Sequence, residues 1–374
     1  MRFLIITCAL FTLLAAQPRP NTYRASARSS TDRPISPEVG ADRRVTFRIK
    51  APRATEVILA LNGSKPMSKD SDGTWSITVG PLEPEIYTYS FMIDGVKSLD
   101  LADPHLKTGS RGLDASSFEI PGNPPRFDEV RNVPHGVIEI RSYISTPLKR
   151  LRRFYIYMPP QYELEPARKF PVLYLRHGSG DTESNWSEDG GAGVILENLI
   201  AESKAKPMLI VMPNGDTDYT WAGGSGPEGM AMLEKELLAD IMPLVESRFR
   251  VAKGRENRAI AGLSMGGGQA FTIGLRNLDT FAYVAQFSSG LISAADFDLA
   301  KHLPGFLEDP ASANKKLKLL FLGCGTEDPR INGQLNLSDF LKSRNIEHEF
   351  HPTPGAHEWK VWRHLLAELL VKLF

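Results

Sequence analysis

The sequence predicts an α/β fold in which helices cover a mostly parallel sheet, preceded by a small all-β sandwich. From about residue 137 onward, short apolar runs typical of buried strands, such as residues 208–212, alternate with segments of helical spacing, such as residues 230–249. Strand and helix repeated in this way are typical of a parallel sheet covered on both faces. Residues 34–120 instead show short strands separated by turn signals and no helical stretch, which indicates a β-sandwich.

The chain starts with a pattern typical of a secretory signal. Arg2 is followed by an apolar run that ends at Ala15-Ala16 and is too short to cross a bilayer. We therefore expect a signal peptide over residues 1–16, with an uncleaved anchor as the alternative. Residues 17–33, rich in Arg, Ser, Thr and Pro, are expected to form a flexible leader.

Charge and cysteine content exclude several classes of partner. Lys plus Arg and Asp plus Glu are equal at 44 each, so the sequence predicts neither nucleic-acid nor membrane binding. Removal of the signal would leave Cys324 as the only cysteine, which excludes an intrachain disulfide. Cys324 lies in an apolar run and is interpreted as a small buried hydrophobic residue. No pattern predicts a metal site or a cofactor.

The all-β region is delimited by its strands and by the stretch that follows them. Residues 45–49, 74–79 and 86–93 alternate as half-buried strands do, and Asp94-Gly95 is a strong hairpin signal. The turn-rich stretch that begins at Pro121 predicts a linker over residues 121–136. Residues 137–374 are then expected to form the α/β part.

One motif predicts the chemistry. An apolar strand ends at Gly262, Ser264 follows two residues later, and Gly266 precedes a helix-compatible segment. G-x-S-x-G between a strand and a helix is the nucleophile elbow of α/β-hydrolases. In this fold the acid and then the histidine follow the serine along the chain.

The acid and the base are expected on loops after late strands. Asp328 is the preferred acid because its short side chain suits a fixed contact to an imidazole, and the adjacent Glu327 is the alternative. His357, in a loop that can reach Ser264, is the preferred base, whereas His351 directly follows a strand and is interpreted as structural.

An ester hydrolase also needs backbone N–H groups that stabilise the developing oxyanion. The amide of Met265 directly follows the nucleophile, and the second donor is assigned to Ser179, with Gly178 as the alternative. His177 in the same loop is expected to hold the loop shape. Three aromatic residues are candidates for lining an acyl site, although each could equally belong to the core: Trp186, Trp221 and Trp359.

These motifs together resemble the feruloyl esterase family of carbohydrate esterases, which are esterase D-like α/β-hydrolases related to enterochelin esterases and mycolyltransferases. The resemblance rests on four short motifs, at residues 177–180, 261–267, 325–328 and 355–357, the last of them followed by Val361-Trp362. It covers residues 137–374 and implies the same catalytic set, Ser264, Asp328 and His357. It further implies hydrolysis of feruloyl or acetyl esters on plant cell-wall polysaccharide such as xylan.

The front region resembles the immunoglobulin-like early-set modules that precede some carbohydrate-active enzymes. Such modules often carry a sugar-stacking Trp after their second strand, but residues 61–66 contain no aromatic side chain. A packing or orienting role is therefore the better interpretation of this region, and Trp75 is expected in its core.

Two departures from the family pattern bear on the substrate. Arg176 replaces the usual leucine before the His-Gly pair, and Pro329-Arg330 replaces an apolar or aromatic pair after the acid. The leading expectation is a secreted serine esterase acting on a small-molecule or polysaccharide ester. A siderophore esterase and a non-catalytic glycan-binding protein are the alternatives.

Overall fold

The computed structural model describes residues 34–103, 105–218, 223–294 and 297–374. The expected signal peptide, the expected leader and Trp221 lie outside these residues. Within the described ranges, no helix combines the length and the apolar character needed to cross a bilayer.

The first ten strands form two antiparallel sheets. Their bounds are β1 Glu38–Val39, β2 Val45–Lys50, β3 Val57–Ala60, β4 Ser64–Pro66, β5 Ser68–Lys69, β6 Thr74–Val79, β7 Glu85–Ile93, β8 Val96–Ser98, β9 Leu106–Gly109 and β10 Gly112–Ile120. One sheet has the order β1-β2-β6-β5, and the other has the order β4-β3-β7-β10-β9, with β8 paired to β7. The all-β region predicted from the strand spacing is confirmed.

Both sheets contribute to one apolar core, which makes this region a sandwich. Phe47, Leu59 and Phe91 are fully buried in that core. Trp75 is 7% exposed there and donates its Nε1–H to the carbonyl of Ala51. Trp75 is therefore a packing residue, as expected from its position on an alternating strand.

Among the described residues after 136, eight strands form a single sheet. Their bounds are β11 Val137–Ser145, β12 Arg150–Met158, β13 Val172–Arg176, β14 Leu209–Pro213, β15 Arg258–Gly262, β16 Tyr283–Phe287, β17 Leu319–Gly325 and β18 Glu349–Thr353. The order is β11-β12-β14-β13-β15-β16-β17-β18. β11 and β12 pair antiparallel, as do β12 and β14, and the remaining neighbours are parallel. The mostly parallel sheet of the predicted α/β fold is confirmed.

In the described parts of the chain, ten α-helices connect and cover these strands. Their bounds are α1 Gln161–Leu164, α2 Asn185–Glu188, α3 Ala192–Ala201, α4 Pro227–Glu236, α5 Met242–Arg248, α6 Ser264–Arg276, α7 Leu299–His302, α8 Pro310–Lys316, α9 Ile331–Ser343 and α10 Trp359–Lys372. A π-helical turn, Leu237–Ile241, joins α4 to α5, so the single helix expected over residues 230–249 contains an irregular turn.

Each face of the sheet has its own apolar core. Residues of α4, α5, α6 and α9 pack on one face, where Ile260 of β15 points. Residues of α3 and α10 pack on the other face, where Ala259 and Ala261 point. Because both faces of the central strands are covered, these strands consist of continuous apolar runs, as the sequence shows.

The parallel strands bring the expected site residues to one edge. The loops after β13, β17 and β18 carry Ser179, Asp328 and His357, and Ser264 is the first residue of α6, which follows β15. Since these strands run in the same direction, their carboxyl ends meet at the edge where α/β proteins bind ligands.

The sandwich is joined to the rest of the chain by a buried cluster of charges. Arg363 of α10, with a side chain only 2% exposed, lies against Glu85 of β7 and 2.8 Å from a carboxylate oxygen of Asp128. Arg126 pairs with the other oxygen of Asp128 at 2.9 Å. The cluster therefore contains residues from the sandwich, from the connecting stretch and from the last helix.

Candidate active site

Ser264 lies on a sharp turn between β15 and α6. Its φ of 51° lies in the left-handed region, which a non-glycine residue rarely adopts, whereas Leu263 before it is extended. A Cβ on Gly262 would approach the carbonyl oxygen of Gly266 to 2.3 Å, and a Cβ on Gly266 would approach that of His177 to 2.3 Å. Only glycine fits at these two positions, so the G-x-S-x-G spacing follows from the tightness of this turn.

The structure brings Ser264, His357 and Asp328 together. The Ser264 Oγ lies 3.1 Å from His357 Nε2, and His357 Nδ1 lies 2.7 Å from a carboxylate oxygen of Asp328. If Nδ1 carries the proton and donates it to Asp328, Nε2 is free to accept the hydroxyl proton of Ser264. This arrangement can activate a serine as a nucleophile.

Asp328 is held as a carboxylate. Burial alone would raise its pKa, but hydrogen bonds from His357, from the Arg330 amide and from Ser288 outweigh burial, and the pKa lies below its usual value. The Arg330 amide donates at 2.9 Å. The alternative acid Glu327 has an exposed side chain, and its backbone amide donates to the carbonyl of Gly355.

The imidazole of His357 is supported by an aromatic ring. His357 follows β18 and precedes α10, and the buried Trp362 of α10 meets it edge-on at 4.8 Å between ring centroids. The other candidate, His351, lies in β18, where it stacks on Phe321 and has Glu349 and Glu368 each 2.9 Å away. Both ring nitrogens of His351 thus face carboxylates, which fits a structural role.

The loop after β13 passes over the elbow. A Cβ built on Gly178 would lie 3.3 Å from the Cβ of Ser264, so the chain at Gly178 and Ser179 is directly beside the nucleophile. Met265 is in the first turn of α6, where the backbone N–H groups have no partner within the helix. The two predicted oxyanion donors, Ser179 and Met265, therefore lie on the two segments that flank Ser264.

His177 holds the shape of this loop as a neutral imidazole. Its Nε2 accepts from the amide of Gly215 at 2.8 Å, and its Nδ1 lies 2.9 Å from the carbonyl oxygen of Gly178, to which it donates. Complete burial lowers the pKa of His177 to about 4. Both ring nitrogens are thus engaged with backbone groups.

A buried polar network beneath the loop was not predicted from the sequence. The guanidinium of Arg176 turns into the interior and donates to the side-chain oxygen of Gln269 at 3.1 Å, and burial lowers its pKa to about 10. Gln269 donates in turn to the carbonyl of Gly215 at 2.8 Å. Arg176 therefore supports the loop from below, with its charge directed away from the reacting side.

Arg330, the second departure from the family pattern, lies close to the acid. Its guanidinium nitrogen is 3.6 Å from the second carboxylate oxygen of Asp328, and its side chain is about one-third exposed at 32%. Ser288, which hydrogen-bonds to Asp328 and whose Oγ lies 3.7 Å from the Sγ of the buried Cys324, has an unusual φ of 50°. A positive φ cannot be read from the motif Ser-Ser-Gly, so sequence reasoning missed Ser288.

The three candidate aromatic residues have different positions. Trp186 is 1% exposed, donates to the carbonyl of Arg176 and packs edge-on against Trp359, so it is a core residue under the loop and offers no surface to a substrate. Of the two alternatives given for Trp186, this placement supports the core and not the acyl site. Trp359 is partly buried two residues after His357, and Trp221 lies outside the described residues.

The described parts of the chain contain no group of three or more His, Cys, Asp or Glu side chains placed to hold a metal ion. Burial raises the pKa of the Cys324 thiol to about 12, and its side chain is inaccessible, which fits the prediction of a buried apolar role.

Residues 145–373 match the model of a family described as putative esterases. An endo-1,4-beta-xylanase/feruloyl esterase of Xylanibacter ruminicola is 33% identical over 350 residues, which are 90% of this chain and 46% of that protein. An esterase of Mycobacterium tuberculosis is 27% identical over 55% of this chain and 52% of its own length. The chain thus spans about half the length of these curated relatives.

Solved structures give the same picture of the fold. A ferulic acid esterase is 26% identical, with a TM-score of 0.56 over 64% of this chain and 97% of its own. The enterobactin esterase of Shigella flexneri is 18% identical, with a TM-score of 0.65 over 88% of this chain and 92% of its own. The latter likeness concerns the fold alone, and its coverage extends into the front sandwich.

Proposed function

The chain belongs to the putative esterase family, and from that premise we propose that it is a serine carboxylic ester hydrolase with Ser264 as its nucleophile. The observation that carries the proposal is the continuous contact from Ser264 Oγ through His357 to Asp328, at 3.1 and 2.7 Å. A strained serine at a strand-to-helix turn, joined to a buried carboxylate through one imidazole, is the arrangement that acyl transfer requires.

The reaction proceeds in two halves. His357 Nε2 takes the hydroxyl proton as Ser264 Oγ attacks the ester carbonyl, and the carbonyl oxygen becomes an oxyanion beside the amides of Met265 and Ser179. Collapse of this intermediate breaks the bond to the alcohol oxygen, which receives the proton from His357 and leaves. A water molecule then gives a proton to His357 and attacks the acyl-serine. His357 returns this proton to Ser264 Oγ as the bond between Oγ and the acyl carbon breaks, which releases the acid and the free serine.

Asp328 keeps the imidazole in the productive tautomer and balances its charge when it is protonated. The lowered pKa of Asp328 favours this role, because the carboxylate stays ionised while the proton resides on His357. Glu327 contributes to the loop through its backbone and not through its exposed side chain.

For the substrate, we propose feruloyl or acetyl esters on a plant cell-wall polysaccharide such as xylan. Support comes from the family resemblance of the motifs and from the Xylanibacter ruminicola relative, whose name couples a xylanase to a feruloyl esterase. We further propose that residues 1–16 direct export of the protein, since a polymer of this size is met outside the cell.

The experiment is a turnover panel of methyl ferulate, acetylated xylan and a catecholate siderophore, with the Ser264→Ala variant beside the wild type. We expect turnover of at least one of the first two, and loss of that turnover in Ser264→Ala with an unchanged melting temperature. Ser343→Ala, at the exposed end of α9, is the matched control and should keep full activity.

Each alternative has its own outcome. Preferential turnover of the catecholate would make the protein a siderophore esterase. Absence of turnover on every ester, together with binding of xylan, would favour a non-catalytic glycan-binding protein. Residual activity above a few per cent in a folded Ser264→Ala variant would remove Ser264 from the mechanism.

A further inference from the structure

The turn between β9 and β10 of the front sandwich touches the loop that carries Ser179. The backbone amide of Ser110, in this turn, donates to the carbonyl oxygen of Gly180 at 2.8 Å. Gly109 is so close to the same oxygen that a Cβ built on it would lie 2.9 Å away. The hairpin is therefore in direct contact with the backbone of the residue after the expected oxyanion donor.

A second set of hydrogen bonds fixes the far end of the same loop. The carbonyl of Thr108 accepts from the side chain of the fully buried Asn185 at 2.8 Å, and Asn185 also accepts from the amide of Thr182 at 2.6 Å. The Thr108 hydroxyl lies 3.1 Å from both Ser184 Oγ and a carboxylate oxygen of Glu188. The hairpin thus contacts the loop at two separate points.

The contacted loop is short and leads to the nucleophile. Gly178, whose built Cβ would lie 3.3 Å from the Cβ of Ser264, is only two residues before Gly180. Asp181 closes the turn through its amide, which donates to the carbonyl of Gly178 at 3.3 Å. A shift of the Gly180 carbonyl therefore moves the peptide planes on which the Ser179 amide depends.

We propose that the β9–β10 hairpin positions the oxyanion loop, so that Gly109 and Ser110 are positioning residues for ester hydrolysis. This inference rests on the function proposed above. Oxyanion stabilisation depends on donors that are correctly placed before the reaction, and it acts on the transition state more than on substrate binding. The sandwich then contributes to the chemical step without touching the substrate.

Two variants disturb this contact in different ways. Ser110→Pro removes the amide hydrogen that Gly180 accepts, and proline is favoured at this second position of a turn. Gly109→Ala places a methyl group against the Gly180 oxygen, and the backbone of Gly109 does not have a positive φ. Neither substitution replaces Ser179, Ser264 or His357.

Each variant has a matched control. Ser71→Pro makes the same substitution in the turn between β5 and β6. The amide of Gly73 donates to the backbone carbonyl of Asp70 there, so Ser71 is also the second residue of its turn. Gly226→Ala adds a methyl group where nothing lies within 4 Å and the φ is −75°. kcat and KM for p-nitrophenyl acetate and the melting temperature are measured for all four variants.

We expect Ser110→Pro and Gly109→Ala to lower kcat about tenfold with little change in KM. This loss is smaller than the one caused by removing an oxyanion donor outright, because the donor is displaced and not deleted. The controls should keep the wild-type kcat. A folded Ser110→Pro or Gly109→Ala variant with wild-type kcat would overturn the proposal, as would equal losses in the controls.

The remaining outcomes separate a failure of the hairpin's role from a failure of the proposed function. If both hairpin variants are unfolded at the assay temperature, the hairpin is a stability element and the positioning role is refuted. A wild-type protein that turns over no ester would refute the proposed function itself. Wild-type turnover with an unaffected kcat in the hairpin variants would refute only the role of the hairpin.

Discussion

His357 Nδ1 lies 2.7 Å from a carboxylate oxygen of Asp328, whereas the side chain of the adjacent Glu327 is exposed. The two acids are neighbours in the chain, but the Asp328 side chain meets His357 and the Glu327 side chain is exposed to solvent. Asp328 is 1% exposed and receives hydrogen bonds from several groups, which keep its pKa below the usual range. The structure therefore separates two carboxylates that are almost equivalent in the sequence.

Asp328→Asn should lower kcat by about 10⁴, the loss found when the orienting carboxylate of a comparable protease is made neutral. The amide can no longer fix the tautomer of His357 or balance its charge. Glu327→Gln, the matched control one residue away, should change kcat little. Steady-state kinetics on p-nitrophenyl acetate give the ranking, and the reverse order would transfer the role to Glu327.

A second prediction concerns the pH dependence of stability near the oxyanion loop. Burial raises the pKa of Asp181 from 3.8 to about 7, even though Lys107, 3.9 Å away, opposes this shift. The native carboxyl thus holds its proton more tightly than the unfolded one. Its contribution to stability is complete below pH 4 and is lost as the pH rises through about 7.

Asp181→Asn should remove this part of the pH dependence, because an amide does not titrate. The free energy of unfolding, measured by urea denaturation at pH 5 and pH 8, should fall less between the two values in the variant. Between pH 5 and the native pKa of about 7 the difference accumulates over about two pH units, which sets an upper limit of about 3 kcal/mol on it. Asp339→Asn, at an exposed carboxyl on α9, is the control, and equal slopes for wild type and Asp181→Asn would contradict the prediction.

A third prediction tests the buried charges that join the sandwich to α10. Arg363→Met leaves Glu85 and Asp128 without one of their cations in a buried site, where removal of one partner costs about 3–5 kcal/mol. The lower end of that range is expected, because Arg126 still pairs with Asp128. Urea denaturation measures the loss.

Double substitution distinguishes a buried pair from simple loss of packing. Adding Asp128→Asn to Arg363→Met should cost less than the sum of the single changes, because the two side chains interact directly. Lys342→Met, which removes an exposed ion pair with Asp339 on α9, should cost less than about 1 kcal/mol. Strict additivity of the double variant would refute a direct interaction.

The elements that the sequence predicted well are those encoded over short distances. The turn at Ser264 needs glycine at two positions because of contacts within a few residues, so its motif is visible in the chain itself. The continuous apolar runs of the parallel strands likewise reflect burial on both faces. Asp328 and His357 could be predicted because each occupies a short loop after a strand, in the chain order that the fold imposes.

What the sequence could not predict depends on contacts between distant segments. Ser110 and Gly180 are 70 positions apart, and nothing in the turn 109–112 indicates that it meets the oxyanion loop. Trp186 was an equal candidate for an acyl site and for the core, and only its packing against Trp359 and the Arg176 carbonyl places it in the core. Arg176 was recognised as a departure from the family pattern, but its hydrogen bond to Gln269 in the interior could not be read from the sequence.

The last prediction concerns sugar binding by the sandwich. Residues 34–120 contain a single Trp, and that residue, Trp75, is 7% exposed with its indole N–H bonded to the Ala51 carbonyl. The region has an apolar core of its own, so we expect it to fold when expressed alone.

The isolated sandwich should show no retardation in affinity electrophoresis through soluble xylan or starch. Aromatic stacking supplies much of the energy of sugar binding, and a single exposed aromatic contact is worth only about 1 kcal/mol. The full chain with Ser264→Ala is run in the same gel, so that a polymer bound by the rest of the protein is detected without turnover. Thermal melting of the fragment checks that it is folded. Clear retardation of the folded fragment would contradict the prediction and make the sandwich a targeting module, whereas retardation of the full chain alone would place polymer binding outside the isolated sandwich.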